Sequence, residues 1–480
     1  MYLNRRFVVI SVYFILINLF GLFIKYLEYA DYFLCYDDEC REVDSPDTEF
    51  DYIIVGCGSA GAILAKRLAE DKYIKVLVLE AGKHGNSLLN IPSVGLLLQE
   101  TLYDWQYVTV QQSRSCFALN NKVSHWPMGK IVGGTSMLNN MIYVRGHPED
   151  FKEWFRAKED YNYITDVLPY FEKLENHNFR GFGMPKVNIH KGIRSTTSHH
   201  LVNLNKQNIF LRTNRFVEKV LIHHNFEAYG VKYSYLDKSY FAKASRGVIL
   251  SAGVIGTPKI MLLSGIGPKD HLDELNISSK LNLPVGENLQ DHITTGLDLV
   301  ILNQTIGIGI EKMLSPYSLF EYFWKGTGPW TTCGCEVLAF INTKMTILNQ
   351  NNNNNNVRPD LQFMVMPLGI NEDNGIHLRH LMGISDYTWN NYFAFLNETT
   401  TISILPILLH PKSRGVVRLR DANIKSMPII DPKYLSDQND VAVLLKGINL
   451  IKKLIQTNSM QKLGAKLNRH VFPRMRTFQI

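Results

Sequence analysis

Asp51-Tyr52-Ile53-Ile54-Val55-Gly56-Cys57-Gly58-Ser59-Ala60-Gly61 is a short β-type apolar run that ends in a glycine-rich turn. Ala62 to Glu70 then reads as a helix, and Ile74 to Leu79 as a second buried strand closing on Glu80, nineteen residues past Gly61. Strand, tight turn, helix and strand in this order specify a dinucleotide cradle. Gly56, Gly58, Ser59, Ala60 and Gly61 let the backbone approach a pyrophosphate, whose charge sits on free helix N–H groups at the positive end of the dipole. Glu80 stands where a carboxylate accepts ribose hydroxyls and repels a 2′-phosphate, which disfavours NADP. Cys57, inside the turn, reads as a small filler.

A second glycine loop runs from Met128 to Gly146 and contains Gly129, Gly133, Gly134, Thr135, Asn139, Asn140 and Met141. Paired glycines followed by hydroxyls and amides line an extended polar ligand with main-chain donors. That suits a flavin better than a nicotinamide cofactor. A third strand, Gly247 to Ser251, ends in the small turn Ala252-Gly253, and Thr257-Pro258 starts a helix toward Leu263. Ligands in open α/β sheets bind outside the carboxyl ends of strands, so the two strand-end turns are expected to converge on one ligand.

Outward from these motifs, 480 residues at 45% hydrophobic and 20% charged form a folded chain, not a disordered or fibrous one. A net charge of +7 without a long basic run does not announce a nucleic-acid binder. Six cysteines without a CxxC and His spacing exclude the common zinc frameworks, and no metal site is expected. Cys333 and Cys335 are expected to alternate on a strand with one facing the core. From about residue 298 the chain turns β-rich, at Asp360 to Pro367 and Thr401 to Leu408, and the polar run Asn349 to Asn356 reads as a solvated loop.

Arg5 and Arg6 precede Phe7 to Ile24, eighteen uncharged residues. As a helix these span ~27 Å against a ~30 Å hydrocarbon core. Residues 1–30 therefore read as a signal peptide or a signal anchor, and either sends the remainder to the lumen or outside. This segment is the one membrane association expected. Cys35, Cys40 and sequons at Asn276, Asn303 and Asn397 agree with the secretory pathway.

Together the three glycine segments resemble the glucose-methanol-choline (GMC) flavoprotein oxidoreductases, in their insect glucose dehydrogenase (FAD, quinone)-like branch. Gly129 to Gly146 looks like the family's first signature, Gly253 to Gly267 like its second, and Gly286-Glu287-Asn288-Leu289-Gln290-Asp291-His292 like a third shared block. Val254 and Lys152 are small departures from the signatures. The resemblance implies an α/β fold with a Rossmann-like FAD-binding domain over residues 50–297. It also implies a second, α+β substrate domain on an antiparallel sheet over 298–480. It implies FAD as cofactor, hydride removal from a CH–OH group of an alcohol or sugar, and oxygen or a quinone as electron acceptor. Val217 would meet the adenine through its backbone, and Gly133, Thr135, Asn139, Asn140 and Met141 would line the flavin side.

Alcohol oxidation by hydride transfer needs a base, most often histidine. Family members supply it late in the chain, where a His-Pro-containing motif followed by a Gly-Asn-Thr-type segment provides the histidine, its partner and the final flavin contacts. His410-Pro411 and His147-Pro148 do not stand in that context, and His292 reads as a structural hydrogen-bond partner. No catalytic residue is assigned. The C-terminal part of the substrate domain, with its histidine, is expected to be missing, leaving a chain that binds flavin poorly and does not turn over. The alternatives are thus an active FAD enzyme, a catalytically silent relative, and a nicotinamide-dependent reductase that the second and third segments disfavour. Between Asn178 and His200 a trimmed lid over the substrate pocket is expected.

Overall fold

The computed structural model describes residues 49–85, 87–174, 185–202, 207–295, 299–304, 310–313, 315–344, 357–396 and 399–468. The targeting segment 1–30, Cys35, Cys40, the run 349–356 and Asn397 lie outside the described residues, as do residues 178–184 of the stretch expected to be a trimmed lid.

β1 (Glu49–Val55) leads through the glycine turn into α1 (Ser59–Leu68) and β2 (Val76–Leu79). After a long excursion come β3 (Ile209–Arg212), β4 (Phe216–Ile222), β5 (Ala228–Tyr235), the 13-residue β6 (Lys238–Leu250) and α2 (Gly253–Leu263). Among the described residues these six strands form one sheet in the order β4-β5-β6-β1-β2-β3. The β6-β1-β2-β3 part is parallel and β4-β5-β6 is an antiparallel meander. Every residue of β2 is buried, as are Ile53, Ile54 and Val55 of β1, because helices or loops cover both faces of a central parallel strand. In β6 an exposed, alternating first half gives way to a half-buried Gly247–Leu250 where it joins β1.

α1 starts three residues before the sequence-derived boundary and lays its small buried residues Gly61, Ala62 and Ala65 on the sheet. A Cβ at Gly61 would lie 2.0 Å from Gly56 O, so only glycine permits this approach. Cys57 is fully buried among Ile54, Ala62 and Val78, as the filler reading expects.

The second sheet is antiparallel. It contains β7 (Ile293–Thr294), β8 (Leu299–Ile301), β9 (Val337–Ile341), β10 (Leu361–Met366) and β11 (Thr401–Leu408). A separate two-stranded hairpin, β12 (Val416–Arg418) and β13 (Ile429–Asp431), precedes α3 (Gln438–Ile455) and β14 (Lys466–Leu467). The main order is β9-β10-β11-β8-β14, with β7 also on β11. α3 presents Leu444, Gly447, Ile451 and Ile455 along one stripe, and its last two pack with Val300, Leu361, Phe363 and Ile404. Asp440, 1% exposed, accepts from Lys412 N at 2.7 Å and Ser413 N at 2.9 Å and pins the turn after His410 to this helix.

Cys333 and Cys335 are not on a strand. They lie in the turn before β9, where Cys335 is buried and Gly334 takes φ +76°, a bend that a strand pairing does not allow.

Candidate functional site

The first and second glycine segments are bound to each other. Gly133 N donates to Cys57 O at 2.8 Å, Gly58 and Gly133 form a parallel bridge, and a Cβ on Gly134 would come within 2.9 Å of Gly58 Cα. Gly129 is held the same way, its Cβ position 2.2 Å from Gly134 O. The third segment closes from the other side: Ser251 N donates to Val55 O at 2.8 Å, and a Cβ on Gly56 would lie 2.5 Å from Ser251 O.

A cavity of about 470 Å³ opens where the three meet. Gly56, Gly58, Ser59, Ala60, Glu80 and Gly129 line it, and so do Thr135, Val217 and Ala252. Of the remaining sequence-derived candidates, Gly61 seats α1 and Gly133 makes the bridge, so both shape the cavity without lining it. Asn139, Asn140 and Met141 follow on the same loop. Asn139 Oδ1 accepts Met141 N at 3.0 Å and steadies a left-handed Met141 at φ 56°. Asn140 Nδ2 faces Gly334 of the second domain, 3.5 Å from where a Cβ would stand.

Glu80 is 5% exposed, and its oxygens already accept two backbone donors, Cys57 N at 2.7 Å and Gly82 N at 2.8 Å. It therefore braces the turn from within the cavity wall, besides any hydroxyl it meets. Burial holds its carboxyl above the ordinary range, opposed by those N–H groups and the Lys130 charge.

Several features of the site carry no sequence signal. Arg194, 1% exposed, donates from Nη1 to Ser136 O at 2.9 Å and Asn139 O at 2.7 Å, and from Nη2 to Pro92 O at 3.1 Å. Burial lowers its guanidinium to about 10. Trp105 and Tyr107 stack at 5.9 Å along one wall, and Trp105 meets Phe216 at 5.6 Å. Lys259, on α2, is 6% exposed and lowered by burial to about 8.

Among the described residues no histidine lines this cavity. His410 Nδ1 is 3.1 Å from Arg358 Nη2, and Arg358 also pairs with Asp150 at 2.7 Å and Glu153 at 2.9 Å. Burial, then Arg358, keeps the His410 imidazole below its usual value. His147 caps the helix Pro148–Trp154, where its Nδ1 accepts Glu149 N. Among the described residues no cluster of three or more His, Cys, Asp or Glu could hold a metal ion.

Models of the GMC oxidoreductase N-terminal domain match residues 50–181 and 173–294, and that of the C-terminal domain matches residues 411–478. The chain belongs to the GMC oxidoreductase family. The C-terminal match corrects the expectation that the C-terminal part of the substrate domain is missing, and the inactivity argued from it falls with it. The glucose dehydrogenase [FAD, quinone] of Drosophila melanogaster is 29% identical over 91% of this chain and 75% of its own. An alcohol dehydrogenase [acceptor] of Pseudomonas putida is 30% identical over 86% and 79%. A formate oxidase variant of Aspergillus oryzae RIB40 shares the fold with a TM-score of 0.72 at 22% identity, covering 89% of this chain and 85% of that one.

FAD is the cofactor of this GMC oxidoreductase, and the cavity fits it. Glycine positions without room for a Cβ leave the backbone bare at Gly56 and Gly134, Ser59 and Ala60 at the start of α1 line the cavity, and Val217 and the aromatic wall give an apolar seat for a purine.

Proposed function

We propose that the chain oxidises the CH–OH group of an alcohol or sugar to a carbonyl and delivers the electrons to oxygen or a quinone. The observation that supports this reading is the junction of three glycine segments around one cavity, in a member of this family. When bound, FAD supplies the hydride acceptor. The chain's own residues hold the dinucleotide. Gly56, Gly58 and the start of α1 would hold the pyrophosphate, Glu80 the ribose and Val217 the adenine, while Thr135, Asn139, Asn140 and Met141 would line the flavin side. Denaturing the purified protein and reading the supernatant tests the cofactor: a released yellow chromophore with flavin absorbance supports it, and a colourless protein stabilised by NAD refutes it. Anaerobic bleaching of the bound flavin by glucose, choline or simple alcohols then tests the donor class.

The same reading includes passage through the secretory pathway, supported by Arg5, Arg6 and the uncharged run to Ile24, and by exposed Asn276 and Ser278 in the sequon after the helix Lys269–Glu274. Among the described residues no helix is long and apolar enough to cross a membrane. Expression in insect cells with and without residues 1–30 tests the compartment. Glycosidase-sensitive mass on the longer form only supports it; unglycosylated cytosolic protein from both refutes it.

A further inference from the structure

The hairpin β12–β13 belongs to the stretch matched by the C-terminal family model, yet its tip reaches the dinucleotide cavity. Val417 and Ile430 pack against Ile255 of α2, Tyr107 and Leu289, which carries residues 421–427 alongside the cofactor-binding domain. The tip is knit internally: Asp421 accepts from Asn423 N at 2.8 Å and Ser426 Oγ at 2.7 Å, and Asn423 Oδ1 accepts Lys425 N at 2.9 Å. These bonds turn the carbonyls of Ile424 and Ser426 toward α2. Lys259 meets both, its Nζ donating to Ile424 O at 2.5 Å and Ser426 O at 2.8 Å. A buried ammonium shared between two carbonyls is stronger than a neutral donor there and fixes the tip in one position. Ile424, only half-buried, is then one of the residues that line the cavity. The Phe216 ring, next to Val217, is 6.0 Å from the same Nζ.

We propose that Ile424 is an apolar wall of the FAD site at its adenine end, supplied by the C-terminal part of the chain, and that Lys259 is the positioning residue that holds it there. The inference rests on FAD being the ligand. Ile424 lines the cavity together with Phe216 and Val217, so a flat apolar ring entering at this end adds contact to a half-buried aliphatic residue. The adenine is the part of the dinucleotide that brings one to this end.

The test uses the full chain, stripped of flavin and titrated with FAD, ADP and FMN, with hydrogen exchange followed at 421–427. In the wild type, FAD and ADP slow exchange at 421–427 and FMN does not. Ile424→Ala weakens FAD and ADP about tenfold, the worth of one aliphatic contact, and leaves FMN binding and the exchange of the unliganded tip unchanged. Lys259→Met weakens the same two ligands and speeds exchange of the unliganded tip, and Lys259→Arg restores part of both. Equal loss of FMN and FAD in Ile424→Ala, unchanged FAD affinity in that variant, or a tip whose exchange ignores ADP overturns the proposal. A wild-type chain that takes up none of the three overturns the FAD reading itself, a result distinct from those. Ile424→Ala removes no hydrogen bond, so it decides the matter even where Lys259→Met fails to fold.

Discussion

Arg194 grips Asn139 twice, through the carbonyl at 2.7 Å and through Oδ1 at 3.1 Å, from a site with 1% of its surface exposed. The same guanidinium holds Ser136 and Pro92, so one buried cation ties the second glycine loop to the neighbouring helical turn at Pro92–Leu98.

Arg194→Met is therefore expected to leave several buried carbonyls without donors and to cost about 3–5 kcal/mol of stability. Urea unfolding reads this, and flavin retention falls with it. A loss under 1 kcal/mol would show that water replaces the guanidinium.

Gly134→Ala separates backbone approach from stability. The residue sits at φ +57°, where a side chain costs about 1–2 kcal/mol, and the new methyl meets Gly58 Cα at 2.9 Å. The expected outcome is a folded protein with a modest drop in melting temperature and more than tenfold weaker FAD binding. Unchanged affinity would remove the Gly58–Gly134 contact from the cofactor site.

Glu80→Gln carries a pH signature. Burial raises the Glu80 carboxyl from 4.5, so the folded state holds its proton longer than the unfolded chain does. Wild-type stability from this group is full below 4.5 and declines as pH rises through the raised value, while the glutamine variant has no such slope. Parallel unfolding curves from pH 4 upward check it. A wild type that gains on the variant as pH rises would refute the burial argument.

Lys259 gives the opposite slope in another window. Its ammonium is lowered by burial to about 8 against 10.5, with Asp421 the partner that opposes the shift. The unfolded chain binds the extra proton between those values, so stability relative to Lys259→Met rises from pH 8 to 10.5. Differential scanning calorimetry at pH 7.5, 9 and 10 is the measurement; a flat difference contradicts it.

Much of this site is legible in the sequence because glycine reports on backbone. Gly56, Gly61, Gly129 and Gly134 each occupy a spot where a Cβ would strike main-chain atoms, and that constraint prints directly as residue identity and spacing. β2 and the buried half of β1 are likewise visible as unbroken apolar runs. Arg194 and Lys259 are not legible, since their partners are carbonyls far along the chain and a carbonyl has no residue type. Glu80 was legible as a carboxylate at a strand end, but its two backbone donors depend on how the turn folds back over it. The Cys333-Gly334-Cys335 turn reads as a strand in the sequence because alternating cysteines mimic strand periodicity, while the deciding fact is the positive φ at Gly334.

The pairing of β1 with β6 also governs when this protein can fold. β1 finds β2 within one turn and helix, but its other neighbour is far along the chain, and Ser245 Oγ reaches Phe50 O across 195 positions. Loop closure of that length must precede any reward from the contacts, so the parallel core forms late and slowly. During synthesis β1 waits with one edge unpaired until β6 emerges, a template for pairing with another chain. Yield on heterologous expression should thus respond to temperature and chaperones more than to added cofactor, because the pocket FAD would enter does not exist until β6 has docked.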